Sequence, residues 1–209
     1  FTRLDTVRIS QASAEQRKGR AGRLGPGLCL RLWDAAEQRG LVAHDPPEIF
    51  NADLAALALE LAIWGVADPA ELAWLDPPPE GLLAQARDLL RLLGALDVAN
   101  RVTALGREMS ALGVHPRLAH MMLRGRDMGE GATACLIAAL LSERDPSPRR
   151  GVDLSDRLTR PPDRARRQAS VWRRALGVSN GKMSADAAGR LVAQAFPDRI
   201  GQARDGDGA

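Results

Sequence analysis

The chain has 209 residues, 45% of them hydrophobic and 26% charged, a balance that supports one large or two small packed domains and excludes wholesale disorder. No apolar run is long enough to cross a bilayer and no leader-like segment opens the sequence, so the expected setting is the cytoplasm, with no membrane partner. Net charge is +3, yet it is segregated: residues 1–33 carry seven basic and two acidic side chains, residues 46–113 four and ten, and residues 114–209 seventeen and eleven.

In chain order, the first expected element is a short helix over residues 13–23. Ser13 is placed to cap it with Gln16 as capping-box partner, and Ser10 is the alternative cap. Leu24-Gly25-Pro26-Gly27 stops it. The almost continuously apolar run Leu28-Cys29-Leu30-Arg31-Leu32-Trp33 reads as a strand buried in a sheet. Cys29 and Cys135, far apart in apolar stretches, read as buried reduced thiols rather than a disulfide or a metal pair.

After Pro46-Pro47 the pattern becomes helical. Helices are expected over residues 52–64, stopped by Gly65, then briefly after Asp68-Pro69, then over residues 80–93, stopped by Gly94. Residues 95–103 read as a small hairpin, and Thr103 as the cap of a helix reaching Leu112. Three helices and a hairpin are the order of a winged helix. Two amphipathic segments, residues 117–128 and 130–143, then read as an antiparallel pair joined at Gly129. Residues 144–162, rich in Pro, Arg and Ser, suit a linker, followed by a basic helix over 163–176 and another over 185–196. The chain begins at Phe1 and ends in an Asp/Gly run soon after that last segment, so both ends are expected to be cut from a longer protein.

The residues that carry chemistry are Gln16-Arg17-Lys18-Gly19-Arg20-Ala21-Gly22-Arg23. On a helix, Gln16, Arg20 and Arg23 fall at i, i+4 and i+7, on one face. Gly19 and Gly22 each cost a helix about 1 kcal/mol relative to Ala, which a plain solvated helix has no reason to bear but a backbone closely approached by another surface does. Two guanidiniums and an amide on one face suit a triphosphate at the moment of hydrolysis, stabilising charge on the outer phosphate and orienting the attacking water. The bland alternative is a basic, solvated helix start.

With Ile9-Ser10-Gln11-Ala12-Ser13-Ala14-Glu15 before it, this octapeptide resembles motif VI of the DEAH-type superfamily 2 helicases. Pro47-Glu48-Ile49, Leu75-Asp76-Pro77-Pro78-Pro79, Leu93-Gly94-Ala95-Leu96-Asp97, Thr103-Ala104-Leu105-Gly106-Arg107-Glu108-Met109 and Pro116-Arg117-Leu118 resemble that family's winged helix and its join to a helical bundle. Within the family, Leu59-Glu60-Leu61-Ala62-Ile63-Trp64-Gly65, His115-Pro116-Arg117-Leu118-Ala119-His120-Met121 and Asp153-Leu154-Ser155-Asp156-Arg157-Leu158 are most similar to the bacterial HrpB type. Lys18 departs from the alanine usual between Arg17 and Gly19.

The resemblance implies a mainly α chain made of the C-terminal piece of a RecA-like α/β lobe with motif VI (residues 1–45), a winged helix (46–114), a helical bundle (115–145) and a basic linker with further helices (146–209). It implies that Gln16, Arg20 and Arg23 are catalytic, that Gly19 joins them at the nucleotide, and that ATP with Mg²⁺ is used by the intact protein. It also implies single-stranded nucleic acid, with RNA the family's usual substrate, and a missing N-terminal helicase lobe as partners. No G-x-x-x-x-G-K-[ST] loop or Asp-Glu-x-His box is present, so the chain alone is expected neither to hold ATP tightly nor to hydrolyse it.

Rival readings differ in class. A non-catalytic nucleic-acid-binding or interaction module of winged-helix type would carry an electropositive recognition helix, whereas residues 46–113 are net acidic. Arg149 to Arg174 holds nine arginines against three aspartates, which suits phosphate contact or a solvated face, and Trp172 is its sole aromatic residue, equally suited to a core position. His44, His115 and His120 lack metal-site spacing and are expected in turns or on the surface, with no zinc.

Overall fold

The structure, a computed structural model, describes residues 7–142, 154–179, 181 and 183–201. Among these the chain is helical, with an isolated antiparallel bridge between Leu96 and Val102 and no longer strand. It divides into two compact units, one ending at Ala52 and the other beginning at Asp53.

The first unit holds α1 (Gln11–Ala21) and α2 (Ala35–Gly40). Ser10, not Ser13, caps α1: its hydroxyl accepts from the Ser13 N–H at 3.1 Å, and Ser13 lies inside the helix. Residues 41–43 anchor the same end. The N–H groups of Gln11 and Ala12, which no helix can satisfy internally, donate to the carbonyls of Val42 and Ala43 at 2.9 and 3.0 Å, and Gln11 Nε2 donates to Leu41 O at 2.9 Å.

The strand expected over residues 28–33 does not form, and Leu28, Leu30 and Leu32 are all exposed. A helix closes its own hydrogen bonds, but a strand needs a neighbour, and among the described residues none runs beside this one. Cys29, expected to be buried, is exposed for the same reason, while Cys135 is buried as expected.

The second unit begins with α3 (Ala55–Trp64), whose first N–H, that of Ala55, donates to Asp53 Oδ1 at 2.9 Å, and which stops at Gly65, whose φ of 81° is left-handed. The helix expected after Asp68 is only one 3₁₀ turn, Pro69–Glu71. Pro77, Pro78 and Pro79 follow too closely for a longer helix, because each lacks an N–H and drives the preceding residue out of the α region. Next come α4 (Glu80–Leu92), the hairpin and α5 (Ala104–Ala111). Asp97 N–H donates to Arg101 O at 2.9 Å and Thr103 N–H to Ala95 O at 3.0 Å, closing the hairpin, and Thr103 then caps α5. Helix α3 packs against both α4 and α5.

The remaining helices are α6 (Pro116–Asp127), α7 (Gly131–Ser142), α8 (Leu154–Thr159), α9 (Asp163–Ala175) and α10 (Ala188–Ala195). Helix α7 is not amphipathic: every residue from Gly131 to Leu140 is buried, because α6, α8, α9 and α10 all pack on it. Gly125 makes this possible, since a Cβ there would stand 2.5 Å from the Ala134 Cβ and 3.1 Å from Leu191 Cδ2. Helix α8 falls inside the expected linker. Leu154 and Leu158, one helical turn apart, supply its apolar contact with the core, and the rest of that linker before residue 154 lies outside the described residues.

Candidate functional site

Helix α1 presents Gln16, Gly19 and Arg20 to solvent. Gln16 and Arg20 are one turn apart on a shared face, and Ala14, the buried residue of the helix, points away from Gln16. Arg23 departs from the expected i+7 position. The helix ends at Ala21, and Gly22 (φ −100°, ψ 20°) turns the chain before Arg23. The loop then folds back tightly: a Cβ on Gly27 would lie 2.0 Å from the Ala21 carbonyl oxygen, so only glycine fits there. Arg23 is thereby carried on a short loop packed against the end of α1 rather than on the helix itself.

Electrostatics distinguish the cations of this segment. Lys18 lies 3.4 Å from Glu15, and Arg31 also pairs with Glu15 while donating Nη1 to Gln38 Oε1 at 3.0 Å. The hydrogen bond from Arg31 is the main reason the Glu15 carboxyl titrates below its ordinary value. Arg17, Arg20 and Arg23 have no ion pair among the described residues, and nothing in the chain comes within 4 Å of a Cβ built on Gly19. Exposed, unneutralised guanidiniums on a helix pinned at its start are suited to bind an anion without first breaking an internal contact.

Gln16, Gly19, Arg20 and Arg23 are all exposed, and among the described residues no group of three or more His, Cys, Asp or Glu is arranged to hold a metal ion.

Other polar residues hold the second unit together, and their pairings carry no local signal in sequence. His115 caps α6: its Nδ1 accepts from the Arg117 N–H at 3.2 Å, while Nε2 faces Asp53 Oδ2 at 3.2 Å. That arrangement requires the proton on Nε2. The hydrogen bond from His115 lowers the Asp53 carboxyl to about 2. His120 is half-buried with Nδ1 2.8 Å from Gln194 O, and desolvation lowers its pKa below 6.5. Neither is simply a turn or surface residue.

On α9, Ala165, Ala169 and Trp172 face the core, so Trp172 is a packing residue, while Arg166, Arg167 and Arg174 lie exposed on the other side. Arg149 and Arg150, the start of the basic stretch, lie outside the described residues.

Residues 86–114 match the winged-helix, helicase-associated domain HA2. The whole chain is 42% identical to the Escherichia coli K12 protein "ATP-dependent RNA helicase HrpB", of which it covers 25%. Over 144 residues, 69% of the chain, it is 38% identical to the human protein "Probable ATP-dependent RNA helicase DHX34", of which it covers 13%. The crystal structure of the Escherichia coli DEAH/RHA helicase HrpB superposes over 100% of the chain and 26% of that protein, with a TM-score of 0.86 at 42% identity. The chain thus spans about a quarter of the length of the HrpB relative. With an HA2 match over residues 86–114 and 42% identity to HrpB along its whole length, the chain belongs to the DEAH-type helicase family, alongside the bacterial HrpB proteins.

Proposed function

We propose that this chain is the sensing and RNA-guiding portion of an ATP-dependent RNA helicase, in which residues 1–45 end a RecA-like lobe, 46–114 form a winged helix, 115–145 a helical bundle and 146–209 a basic extension. The observation that carries the reading is the exposed face of α1, where Gln16 and Arg20 share one side and Arg23 follows on the packed loop, with both guanidiniums unpaired among the described residues. ATP, when held by a separate lobe, supplies the phosphoanhydride whose cleavage drives the motor. Arg20 and Arg23 place positive charge against its outer phosphate, Gln16 orients water by hydrogen bonding, and Gly19 lets the helix backbone approach without a side chain between. The exposed arginines of α9 are suited to the phosphates of single-stranded RNA.

Two measurements test this reading. In an intact helicase containing this segment, Arg20→Ala is expected to lower ATP turnover by about 10³-fold or more while nucleotide affinity changes little; near-normal turnover removes the assignment. The 209-residue chain alone is expected to show no ATP hydrolysis, since it contains neither a G-x-x-x-x-G-K-[ST] loop nor an acidic box. Detectable turnover by that chain would overturn the division of labour.

A further inference from the structure

Between the end of α1 and the start of α2, residues 23–33 make no backbone-to-backbone hydrogen bond among the described residues. Side chains hold this stretch instead. Leu28, Leu30 and Leu32 lie exposed, while Arg31 and Trp33, two residues apart on an extended segment, are half-buried and turn toward the helices. Arg31 reaches both helices at once: Nη2 pairs with Glu15 Oε1 on α1, and Nη1 donates to Gln38 Oε1 on α2 at 3.0 Å. Trp33 Nε1 donates to the same Gln38 oxygen at 2.8 Å.

The consequence falls on Arg23. Gln16 and Arg20 are fixed by the helix that carries them, but Arg23 is fixed only by its loop, which leaves α1 at Gly22 and returns where Gly27 packs on the Ala21 carbonyl. That packing is a steric limit: it allows the close approach without holding the loop there. Arg31, four residues beyond Gly27, supplies the attraction, with 25% of its side chain exposed and two nitrogens engaged. A planar guanidinium held at two points fixes direction as well as distance, which an ammonium does not. Lys18 also lies 3.4 Å from Glu15, but it belongs to α1 and ties that helix only to itself.

We propose that Arg31 is a positioning residue for ATP hydrolysis: by bridging Glu15 and Gln38 it holds the returning arm of the loop on α1, and so sets where the Arg23 guanidinium stands relative to Arg20. The proposal rests on the reading that Arg20 and Arg23 meet the outer phosphate. Arg31 acts through Arg23 and touches no nucleotide, since its own guanidinium is occupied by Glu15 and Gln38.

The test is ATPase kinetics in an intact helicase containing this segment. Arg31→Ala is expected to lower kcat about tenfold while KM for ATP stays within about twofold, as a misplaced transition-state contact does. In an Arg23→Ala background it is expected to have no further effect, because both changes remove the same contact. The exchanged pair Glu15→Arg/Arg31→Glu restores attraction across the same gap and is expected to recover most of the loss. Native-like melting of Arg31→Ala keeps unfolding out of the result; if that variant melts early, Arg31→Lys, which keeps a charge facing Glu15 but loses the two-point hold, carries the same comparison. An equal proportional loss with and without Arg23 would mean a general structural role, and unchanged turnover would mean that the bridge positions nothing; either overturns the proposal. Arg20→Ala separates this from the reading beneath it. Normal turnover in Arg20→Ala removes the sensing assignment and the proposal with it, whereas an inactive Arg20→Ala beside a fully active Arg31→Ala removes the positioning role alone.

Discussion

Arg117 and Asp198 form a two-pronged ion pair across 81 residues of sequence, with Nη1 to Oδ1 at 2.5 Å and Nη2 to Oδ2 at 2.8 Å. The guanidinium is nearly out of solvent, donates also to Ala195 O at 3.1 Å, and stands 5.2 Å from the centre of the Phe196 ring. It ties the start of α6 to the turn after α10. Removing Asp198 would strand a buried charge, so Asp198→Ala is expected to destabilise the chain by about 2 kcal/mol in urea unfolding, less than for a fully buried pair because Asp198 keeps about a third of its exposure. The double variant Arg117→Met/Asp198→Ala should recover part of that loss. A single-variant cost near zero would mean the pair contributes nothing net.

The Asp53–His115 contact makes a statement about pH. Asp53 is lowered to about 2 from 3.8, so its contribution to stability is fully present above 3.8 and is lost as pH falls toward 2. Carboxyl NMR titration should find the Asp53 inflection near 2, moving back toward 3.8 in His115→Ala, since the hydrogen bond from His115 is the largest cause. An inflection near 4 in the unaltered chain would show the contact to be absent in solution.

Gly125 tests the packing of α6 on α7. Gly125→Ala places a methyl 2.5 Å from the Ala134 Cβ, and the helices must separate, at an expected cost of about 1–3 kcal/mol. Ala134→Gly in the same chain should restore much of that stability. If Gly125→Ala melts with the unaltered chain, the two helices lie farther apart than the structure places them.

The two thiols should react very differently. Cys29 is exposed, whereas burial raises the Cys135 thiol to about 11. A thiol reagent at neutral pH should therefore label one site promptly in the native 209-residue chain and the second only on unfolding. Two prompt labels would show that the core around α7 opens readily.

Several features of this protein were legible residue by residue. Thr103 caps α5, Pro116 opens α6, and Gly65, Gly94 and Gly129 take left-handed turns just beyond their helices. These are interactions within a few residues, so a linear reading contains all the atoms involved. The spacing of Gln16 and Arg20 is of the same kind. Arg23 is not, because the chain turns at Gly22 and then packs Gly27 against the helix end.

What tertiary structure alone decided are the matters that need a partner from far along the chain. Residues 28–33 have a strand's composition, yet no neighbouring strand satisfies their backbone among the described residues. Helix α7 is sealed on every side because α6, α8, α9 and α10 converge on it, which its own periodicity does not encode. His115 and Arg117 acquire their roles from Asp53 and Asp198, 62 and 81 residues away. Helices satisfy their own hydrogen bonds and announce themselves locally; ladders, buried charges and helix environments are set by which distant surfaces meet, and that is decided only when the chain has folded.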